Sequence, residues 1–345
     1  MILLDVQDLE PGMVLCRDVV NEKNMVALTE GTVLTAPIIE KMKTHTLSDI
    51  FIEDSEMARQ KDFFHKYQRQ IYVTEGIFRE ATETGSVPVK LAENLVSSSL
   101  VPMVAQSGIL DYLYQSGGKT TYEYQHAMNV SVMSGLLAKW MHYDESAIEE
   151  IMMAGLLHDI GKTRLPQNLA EKKGLYLNAH EEELYHQHTK YGYQLLNGLQ
   201  LSENVRQAVL HHHEHIDCSG YPANLVNDQI HPYAKIIAVM NKYDNKVTPH
   251  PGSNGETPFA ALKEITQKMF STLDTKTCIA FIHNLKESLI GSRVLLSDYS
   301  KGTVVFYSKD DFQAAPMISL DENHILMDLN ARPDLKIIDY KPANN

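Results

Sequence analysis

Cysteine and positive charge are both scarce in this sequence, and each scarcity argues against a class of protein. The 345 residues include three cysteines, Cys16, Cys218 and Cys278, which are too widely spaced for a disulfide framework or a thiolate zinc site. Lysine and arginine total 31 against 44 aspartate and glutamate residues, which gives a net charge of −13. Proteins that coat nucleic-acid phosphates normally carry a basic face, so this balance argues against a polymeric nucleic-acid partner.

Long apolar runs are also missing. The sequence contains no run approaching the roughly 18 apolar residues that a membrane-spanning helix requires, so no membrane span is predicted. The N-terminal MILLDVQDLE lacks the basic region, apolar core and cleavage site of a signal peptide. The sequence therefore predicts a cytoplasmic protein.

The apolar patterns predict a mainly α-helical protein in four parts. Short apolar pieces separated by turn-forming residues indicate a small β-rich N-terminal domain over residues 1–53. A helical linker is expected over 54–117, followed by a helical bundle over 118–290. Apolar residues that alternate with polar ones predict a short β-rich C-terminal extension over 291–345.

Capping residues and breakers predict several helix ends. The Ser-x-x-Glu pattern that starts at Ser146 has the form of a capping box, so a helix is expected to begin there. Asn178 with Glu181 predicts the start of another helix, which is expected to continue unbroken past His186 and His188. In the linker, one helix is expected from about Lys90 to Gln115.

Charged residues interrupt an apolar helical stretch, IMMAGLLHDIGKTRLP, at residues 151–166. On a continuous helix His158 and Lys162 share a face, and Asp159 lies three residues before Lys162. Imidazole and carboxylate groups bind iron, manganese or zinc, and a bound cation would offset the burial of the carboxylate. The same residues also fit a buried ion pair between Asp159 and Lys162, with His158 as a hydrogen-bonded core histidine.

Further histidines lie in helical segments that a bundle would bring together. His126 precedes one predicted helix, His188 lies within another, and His212 and His213 end a third. Each is flanked by apolar residues, and dinuclear metal sites are commonly built from side chains that project into a helical bundle. His186 is two residues from His188 and is therefore expected to point to a different side of the helix.

Together these segments resemble the HD-GYP phosphodiesterases, a branch of the HD metal-dependent phosphohydrolases. HDIGK at 158–162, followed by Pro166, is similar to the first signature of that family. His188 with Gly192 is similar to its middle element. HHEHIDCSGYP at 212–222 is similar to its signature HHE-x-x-D-G-S-G-Y-P. Several spaced motifs of this kind make the resemblance specific.

The resemblance implies an HD-type helical catalytic domain that binds two or three divalent metal ions, often iron or manganese, and hydrolyses cyclic di-GMP to linear pGpG, in some members on to GMP. By position it assigns the metal ligands, which would be His126, His158, Asp159, His188, His212, His213 and Asn241. Asp159 would also bridge the metals and hold the attacking hydroxide, and Lys162 would contact the scissile phosphate. Gly220, Tyr221 and Pro222 would shape the substrate pocket.

Several positions depart from the family pattern. Asn241 stands where the family has an aspartate ligand, so one metal is expected to be held less tightly. Asp244 keeps the second aspartate of that segment, whereas the arginine that usually follows is absent. Tyr122 occupies the position, four residues before His126, where some members place a glutamate for a third metal, so two metals are favoured over three. Cys218 replaces the first glycine of the Gly-Tyr-Pro signature.

Two other functions stay open at the level of the sequence. Because Asn241 weakens one ligand position, the chain is alternatively a catalytically weak or inactive receptor that binds cyclic di-GMP and signals through protein partners. A metal centre that senses redox state or oxygen is a third interpretation. The helix expected over 55–85 is a candidate contact for a homodimer.

Overall fold

The computed structural model describes two compact units, residues 1–66 and 67–344. The described residues are 2–21, 25–45, 47, 50–53, 55–106, 108–115, 122–170, 177–250, 253–308, 311–322 and 324–343. The boundary predicted between the linker and the helical domain, at 117/118, lies outside them. The division of the chain into four parts therefore stays a prediction.

Two small antiparallel sheets share one apolar core in the N-terminal unit. β1 (Ile2–Leu4) pairs with β4 (Ile50–Ile52), and β2 (Val19–Val20) pairs with β3 (Val26–Leu28). α1 (Ala36–Met42) has a proline in its first turn, where the fixed φ of proline suits a helix start. The fully buried core residues include Leu15, Val19 and Leu34.

Helices make up most of the second unit. α2 (Ser55–Thr84) crosses the boundary between the units. The helices that follow are α3 (Val89–Leu95), α4 (Val101–Val104), α5 (Ile109–Gln115), α6 (Tyr122–Trp140), α7 (Glu145–Leu157), α8 (Gln167–Ala170), α9 (Ala179–His186), α10 (His188–Leu196), α11 (Glu203–His211), α12 (Pro232–Val247), α13 (Pro258–Lys268) and α14 (Thr275–Leu289). No helix in the described ranges has the length and apolar content to cross a membrane.

The linker segment predicted as one helix from Lys90 to Gln115 is interrupted twice. A π-helical turn, Val96–Leu100, follows α3, and Pro102 lies in the first turn of α4. Proline has no N–H to continue the hydrogen bonding of the preceding helix, so a new helix begins there. Gly108, with a φ of +72°, then precedes α5 in a conformation that glycine adopts without strain.

Side-chain caps fix the starts of the helices around the candidate site. The side chain of Asn178 accepts a hydrogen bond from the backbone N–H of Glu181, and the Glu181 carboxylate accepts one from the N–H of Asn178, so the predicted capping box is confirmed. The start predicted at Ser146 is wrong. Asp144 caps α7 and accepts from the N–H of Ala147 at 2.8 Å, because aspartate is an effective N-cap whose charge also suits the helix dipole.

A five-stranded antiparallel sheet follows α14. β5 (Arg293–Leu296), β6 (Lys301–Phe306), β7 (Met317–Leu320), β8 (Leu326–Asp328) and β9 (Ile337–Lys341) lie in the spatial order β8-β7-β6-β5-β9. The strand region expected at this end of the chain is confirmed.

The helices that carry the candidate site pack at backbone distance. Ser131 Oγ in α6 donates to the carbonyl of Met152 in α7 at 2.7 Å. A Cβ on Gly155 would lie 2.9 Å from the Cα of Ser131, so the small residue at 155 lets the two helices touch. α12 packs against both helices, and residues of α6 and α12 line the cavity at the candidate site.

Candidate metal centre

The histidines singled out in the sequence come from four segments of the helical unit. His126 lies inside α6, not before a helix as predicted, because α6 begins four residues earlier. His158 follows the last residue of α7, His188 begins α10, and His212 and His213 follow α11. His213 is half-buried and the other four are at most 3% exposed, so these rings lie where an unpartnered polar group is costly.

The α-helix predicted through HDIGK ends at Leu157. Asp159 caps a 3-10 helix, Ile160–Arg164, in which residues three apart lie above one another. Lys162 consequently reaches Asp159, with Nζ 2.5 Å from Oδ2. The stacking of His158 on Lys162, which requires a continuous α-helix, does not follow from this geometry.

Gly161 sets the distance between the 3-10 helix and α10. A Cβ at this position would overlap the carbonyl oxygen of His188 and the backbone nitrogen of Gly192. Glycine is therefore required at 161 if Asp159 and His188 are to face each other. The glycine of HDIGK thus positions a histidine that comes from a different helix.

Two groups of potential metal ligands share one carboxylate. One group is Asp159 with His188, His212 and His213, and the other is Asp159 with His126 and His158. Within each group, one nitrogen or oxygen atom of every residue lies within 4.8 Å of those of the others. The sequence predicted that these six residues would meet, and the fold brings them together.

Each carboxylate oxygen of Asp159 faces its own group of imidazoles. Nε2 of His158 lies 3.3 Å from Oδ2, and Nε2 of His126 lies 3.9 Å from it. Nε2 of His188 lies 3.4 Å from Oδ1, and Nε2 of His212 lies 3.9 Å from it. This division of its oxygens between two sets of ligands suits a carboxylate that serves two ions, one through each oxygen.

The other ring nitrogen of the buried histidines is already bonded. Nδ1 of His158, His188 and His212 lies 2.8, 2.7 and 2.8 Å from the backbone carbonyl oxygen three residues earlier. Nδ1 of His126 lies 2.6 Å from a carboxylate oxygen of Asp244. Because those oxygens only accept, Nδ1 carries the proton in each ring and Nε2 presents a lone pair.

These lone pairs meet a carboxylate with no proton between them. Burial lowers the pKa of His188 to about 4 and the pKa values of His212 and His213 well below the usual range, so these rings are neutral at pH 7. In the described part of the chain, no hydrogen-bond partner reaches Nε2 of His158, His188 or His212, or Oδ1 of Asp159. Buried lone pairs that face one another repel, and a cation between them would make each contact favourable. The residues therefore fit divalent metal ions.

Asp159 stays ionised although it is buried. Burial alone would raise its pKa, but the charge of Lys162 lowers that pKa well below its usual range. Burial would lower the pKa of Lys162, yet the charge of Asp159 raises it above its usual value. The ion pair considered from the sequence does form. It coexists with both histidine groups, because Lys162 bonds to Oδ2 on the side of His158 and leaves Oδ1, which faces His188, without a hydrogen-bond partner among the described residues.

Asn241 lies in α12 and lines the same cavity as His126 and Asp159. Its side-chain carbonyl accepts a hydrogen bond from Nδ2 of Asn245, and Oδ1 of Asn245 accepts one from the Tyr122 hydroxyl at 2.8 Å. The other side-chain atom of Asn241 is an NH2 group, which has no lone pair for a metal. The position that the resemblance assigns to a ligand is thus part of a chain of neutral hydrogen bonds.

Glu214 closes the loop that carries Gly-Tyr-Pro. Its buried carboxylate accepts hydrogen bonds from the backbone N–H groups of Ala223, at 2.6 Å, and Leu225, at 2.9 Å. A Cβ on Gly220 would lie 2.5 Å from the Cα of Glu214, so only glycine lets the loop fold back this closely. Sequence reasoning missed this role of Glu214, although the residue stands inside the recognised HHE signature.

Tyr221 is stacked between two histidine rings. Its ring centroid lies 3.7 Å from that of His186 and 4.7 Å from that of His213, with interplanar angles of 14° and 23°. The prediction of one unbroken helix past His186 and His188 is wrong, because α9 ends at His186 and α10 begins at His188. Residues 220–222 are not among the described residues that line the cavity over the carboxylate, so the loop reaches the site through the ring of His213.

The cavity over Asp159 has a volume of about 1430 Å³. Pockets that enclose a drug-sized ligand are roughly 300–1,000 Å³, so this cavity has room for more than one nucleotide. Its walls include members of both groups of potential metal ligands, together with Lys162 and Asn241, and the group members concerned are His126, Asp159, His212 and His213.

Cys218 occupies a position that suits glycine better. Its φ is +65° and its side chain is exposed. This conformation costs an L-residue about 1–2 kcal/mol, part of which the greater unfolded-state entropy of glycine offsets. We therefore expect Cys218→Gly to raise the free energy of unfolding, measured by urea denaturation, by about 0.5–1 kcal/mol. Cys218→Ala, which removes the thiol and keeps Cβ, should give no gain, and an equal gain in both variants would contradict the backbone explanation.

A family described as HD domain matches residues 90–276, which is more than half of the chain. A cyclic di-GMP phosphodiesterase from Pseudomonas aeruginosa is 29% identical over 230 residues, which cover 66% of this chain and 55% of that protein. A cyclic di-GMP phosphodiesterase from Thermotoga maritima is 33% identical over 156 residues, which cover 43% of this chain and 41% of that protein. The chain thus spans about half the length of these curated relatives.

A solved structure shows the same fold. Bd1817, an HDG"Y"P protein from Bdellovibrio bacteriovorus, aligns with a TM-score of 0.54 at 16% identity and covers 83% of this chain and 99% of that chain. At this identity the likeness concerns the fold alone, and it confirms the predicted HD-type helical architecture. The family match and the HD-GYP relatives confirm the resemblance read from the three signatures, and the chain belongs to the HD domain family.

Proposed function

We propose that this chain hydrolyses a phosphodiester bond of cyclic di-GMP and releases linear pGpG, with further cleavage to GMP as part of the same proposal. The observation that carries it is the convergence of imidazole Nε2 atoms on both oxygens of Asp159, with every Nδ1 of the buried rings already bonded. The substrate comes from the relatives, two of which are named cyclic di-GMP phosphodiesterases.

Two divalent cations would be held by the two histidine groups, with Asp159 as their common ligand. Neutral imidazoles and one carboxylate suit iron or manganese, which are the metals proposed here. Bound there, the cations would supply Lewis acidity that activates water and stabilises charge on the phosphoryl oxygens. The proposed ligands are His126, His158, Asp159, His188, His212 and His213. Asn241 is the position at which an amide would bind the metal more weakly than the aspartate of the family pattern.

The protein's own groups would orient the substrate. Lys162 lies 2.5 Å from Asp159 at the wall of the cavity, where its ammonium group is placed to bind a non-bridging phosphate oxygen. Asp244 holds the ring of His126 through Nδ1, and such a partner fixes both the tautomer and the direction of Nε2. Residues 220–222 would shape the pocket indirectly, through the stacking of Tyr221 on His213.

Asn241 favours a second candidate function, a receptor that binds cyclic di-GMP and does not turn it over. Because residue 241 is an asparagine, the group that contains His126 and His158 lacks the additional carboxylate that the family pattern supplies. The side-chain carbonyl of Asn241 also accepts a hydrogen bond from Asn245. A receptor would act through protein partners or a homodimer. The proposed ligand is a bacterial second messenger, which agrees with the cytoplasmic location predicted from the sequence.

Product analysis separates the enzyme from the receptor. Protein loaded with manganese, or with ferrous iron under anaerobic conditions, is incubated with cyclic di-GMP, and the nucleotides are separated by chromatography. We expect cyclic di-GMP to disappear and pGpG to accumulate. Binding of cyclic di-GMP measured by calorimetry, with no product under saturating metal, would contradict hydrolysis and leave the receptor.

A further inference from the structure

The cavity over Asp159 extends well beyond the two histidine groups. One part of its wall is formed by α12 and by the end of α13, which lie far along the chain from the HD signature. This part contributes Lys242 and Lys268. Both ammonium groups share this cavity with Lys162, in a chain whose net charge is −13. Cations gathered in one cavity of an acidic protein are a signature of an anionic ligand.

Backbone hydrogen bonds hold Lys268 beside the loop that follows the metal-ligand histidines. The N–H of Ile216 donates to the carbonyl of Thr272 at 3.1 Å, and the N–H of Thr272 donates to the carbonyl of Lys268 at 3.0 Å. His215, next to Ile216, lines the same cavity.

The two lysines differ in how far their charge is neutralised. Lys242 and Lys246 share the carboxylate of Glu264. Lys242 Nζ lies 2.9 Å from Oε1, and Lys246 Nζ lies 3.1 Å from Oε2. Lys268 is half-buried and, within the described ranges of the chain, no carboxylate lies at ion-pair distance from it. A cation in a partly enclosed cavity gains most from a ligand that brings its own negative charge.

We infer that Lys268, supported by Lys242, binds the second phosphate of the cyclic dinucleotide while the first lies over Asp159 and Lys162. This inference rests on the proposed function, because it assumes a ligand with two phosphodiesters. A cyclic dinucleotide carries one negative charge on each of two separated phosphates. The histidine groups and Lys162 serve only one of them, so the other needs a cation elsewhere in the same cavity.

Lys268→Glu tests the assignment, with Lys263→Glu as the matched control. Lys263 lies on the same helix, is exposed and is not among the residues lining the cavity, so both variants change the net charge equally. We expect Lys268→Glu to weaken the calorimetric Kd for cyclic di-GMP at least about tenfold, while Lys263→Glu changes it less than about twofold. Metal content should stay within about twofold of the unmodified protein in both variants, and Lys263→Glu should also hydrolyse bis(p-nitrophenyl) phosphate at an unchanged rate.

The readouts separate failure of this inference from failure of the proposed function. Equal losses of cyclic di-GMP affinity in both variants, or none in Lys268→Glu, would overturn the role of Lys268 whether or not the protein is an enzyme. A tenfold loss confined to Lys268→Glu supports it, even if the unmodified protein binds cyclic di-GMP without cleaving it. Cyclic GMP, with one phosphate, is the ligand control. An equal loss of affinity for cyclic GMP in Lys268→Glu would mean that Lys268 contacts the base or the first phosphate. That result would overturn the assignment.

Discussion

Asp159→Asn is expected to remove both metal equivalents and to lower the turnover of cyclic di-GMP by at least about a thousandfold. Both groups of imidazoles direct Nε2 at this one carboxylate, so its loss affects both groups at once. An amide keeps the shape of the side chain but is neutral, and one of its two oxygens is replaced by a nitrogen that only donates. Metal content is measured by plasma mass spectrometry on the preparation used for the kinetic assay.

The control for Asp159→Asn is Asp228→Asn, which makes the same change at an exposed position that does not line the cavity. That variant should keep its metal and its activity. Thermal unfolding followed by circular dichroism identifies any loss that is due to misfolding. Two retained metal equivalents in folded Asp159→Asn would contradict the assignment of Asp159 as the common ligand.

Asn241→Asp is expected to tighten the weaker metal site by about 10–100-fold and to raise turnover when metal is limiting. An aspartate can still accept the hydrogen bond from Asn245 with one oxygen, and it leaves a second, charged oxygen for the metal. Manganese titration gives the two dissociation constants, and the kinetic assay is run at metal concentrations between them.

Asn254→Asp is the charge-matched control for Asn241→Asp, because Asn254 also lines the cavity but is exposed. If added negative charge alone improved metal binding, both variants would bind manganese more tightly. We expect the gain only for Asn241→Asp. An unchanged affinity in that variant would show that position 241 does not contact the metal.

Prediction from the sequence succeeded better for the residues that form the candidate site than for the backbone that brings these residues together. His126, His158, Asp159, His188 and the histidine pair after α11 were identifiable because imidazoles and a carboxylate stand out in apolar helical sequence. The 3-10 helix after α7 was not, since its first residues continue an apolar helical pattern. Its geometry depends on Gly161, whose contact with α10 is tertiary.

Errors in the sequence interpretation have local physical causes. The break between α9 and α10 was not predicted because the residue at the break, Gln187, is neither proline nor glycine. The start of α7 was misplaced because Asp144 and Ser146, two positions apart, are both effective N-cap residues. Lys268 gave no signal at all, since only the folded chain brings the end of α13 to the cavity.

The most direct test of two cations on one shared carboxylate is electron paramagnetic resonance of the manganese-loaded protein. Two ions bridged by Asp159 predict two manganese equivalents per chain and a spin-coupled signal, distinct from the six-line spectrum of isolated Mn²⁺. Asp159→Asn should abolish the coupled signal. A single equivalent, or two equivalents with only the uncoupled six-line spectrum, would contradict the shared site.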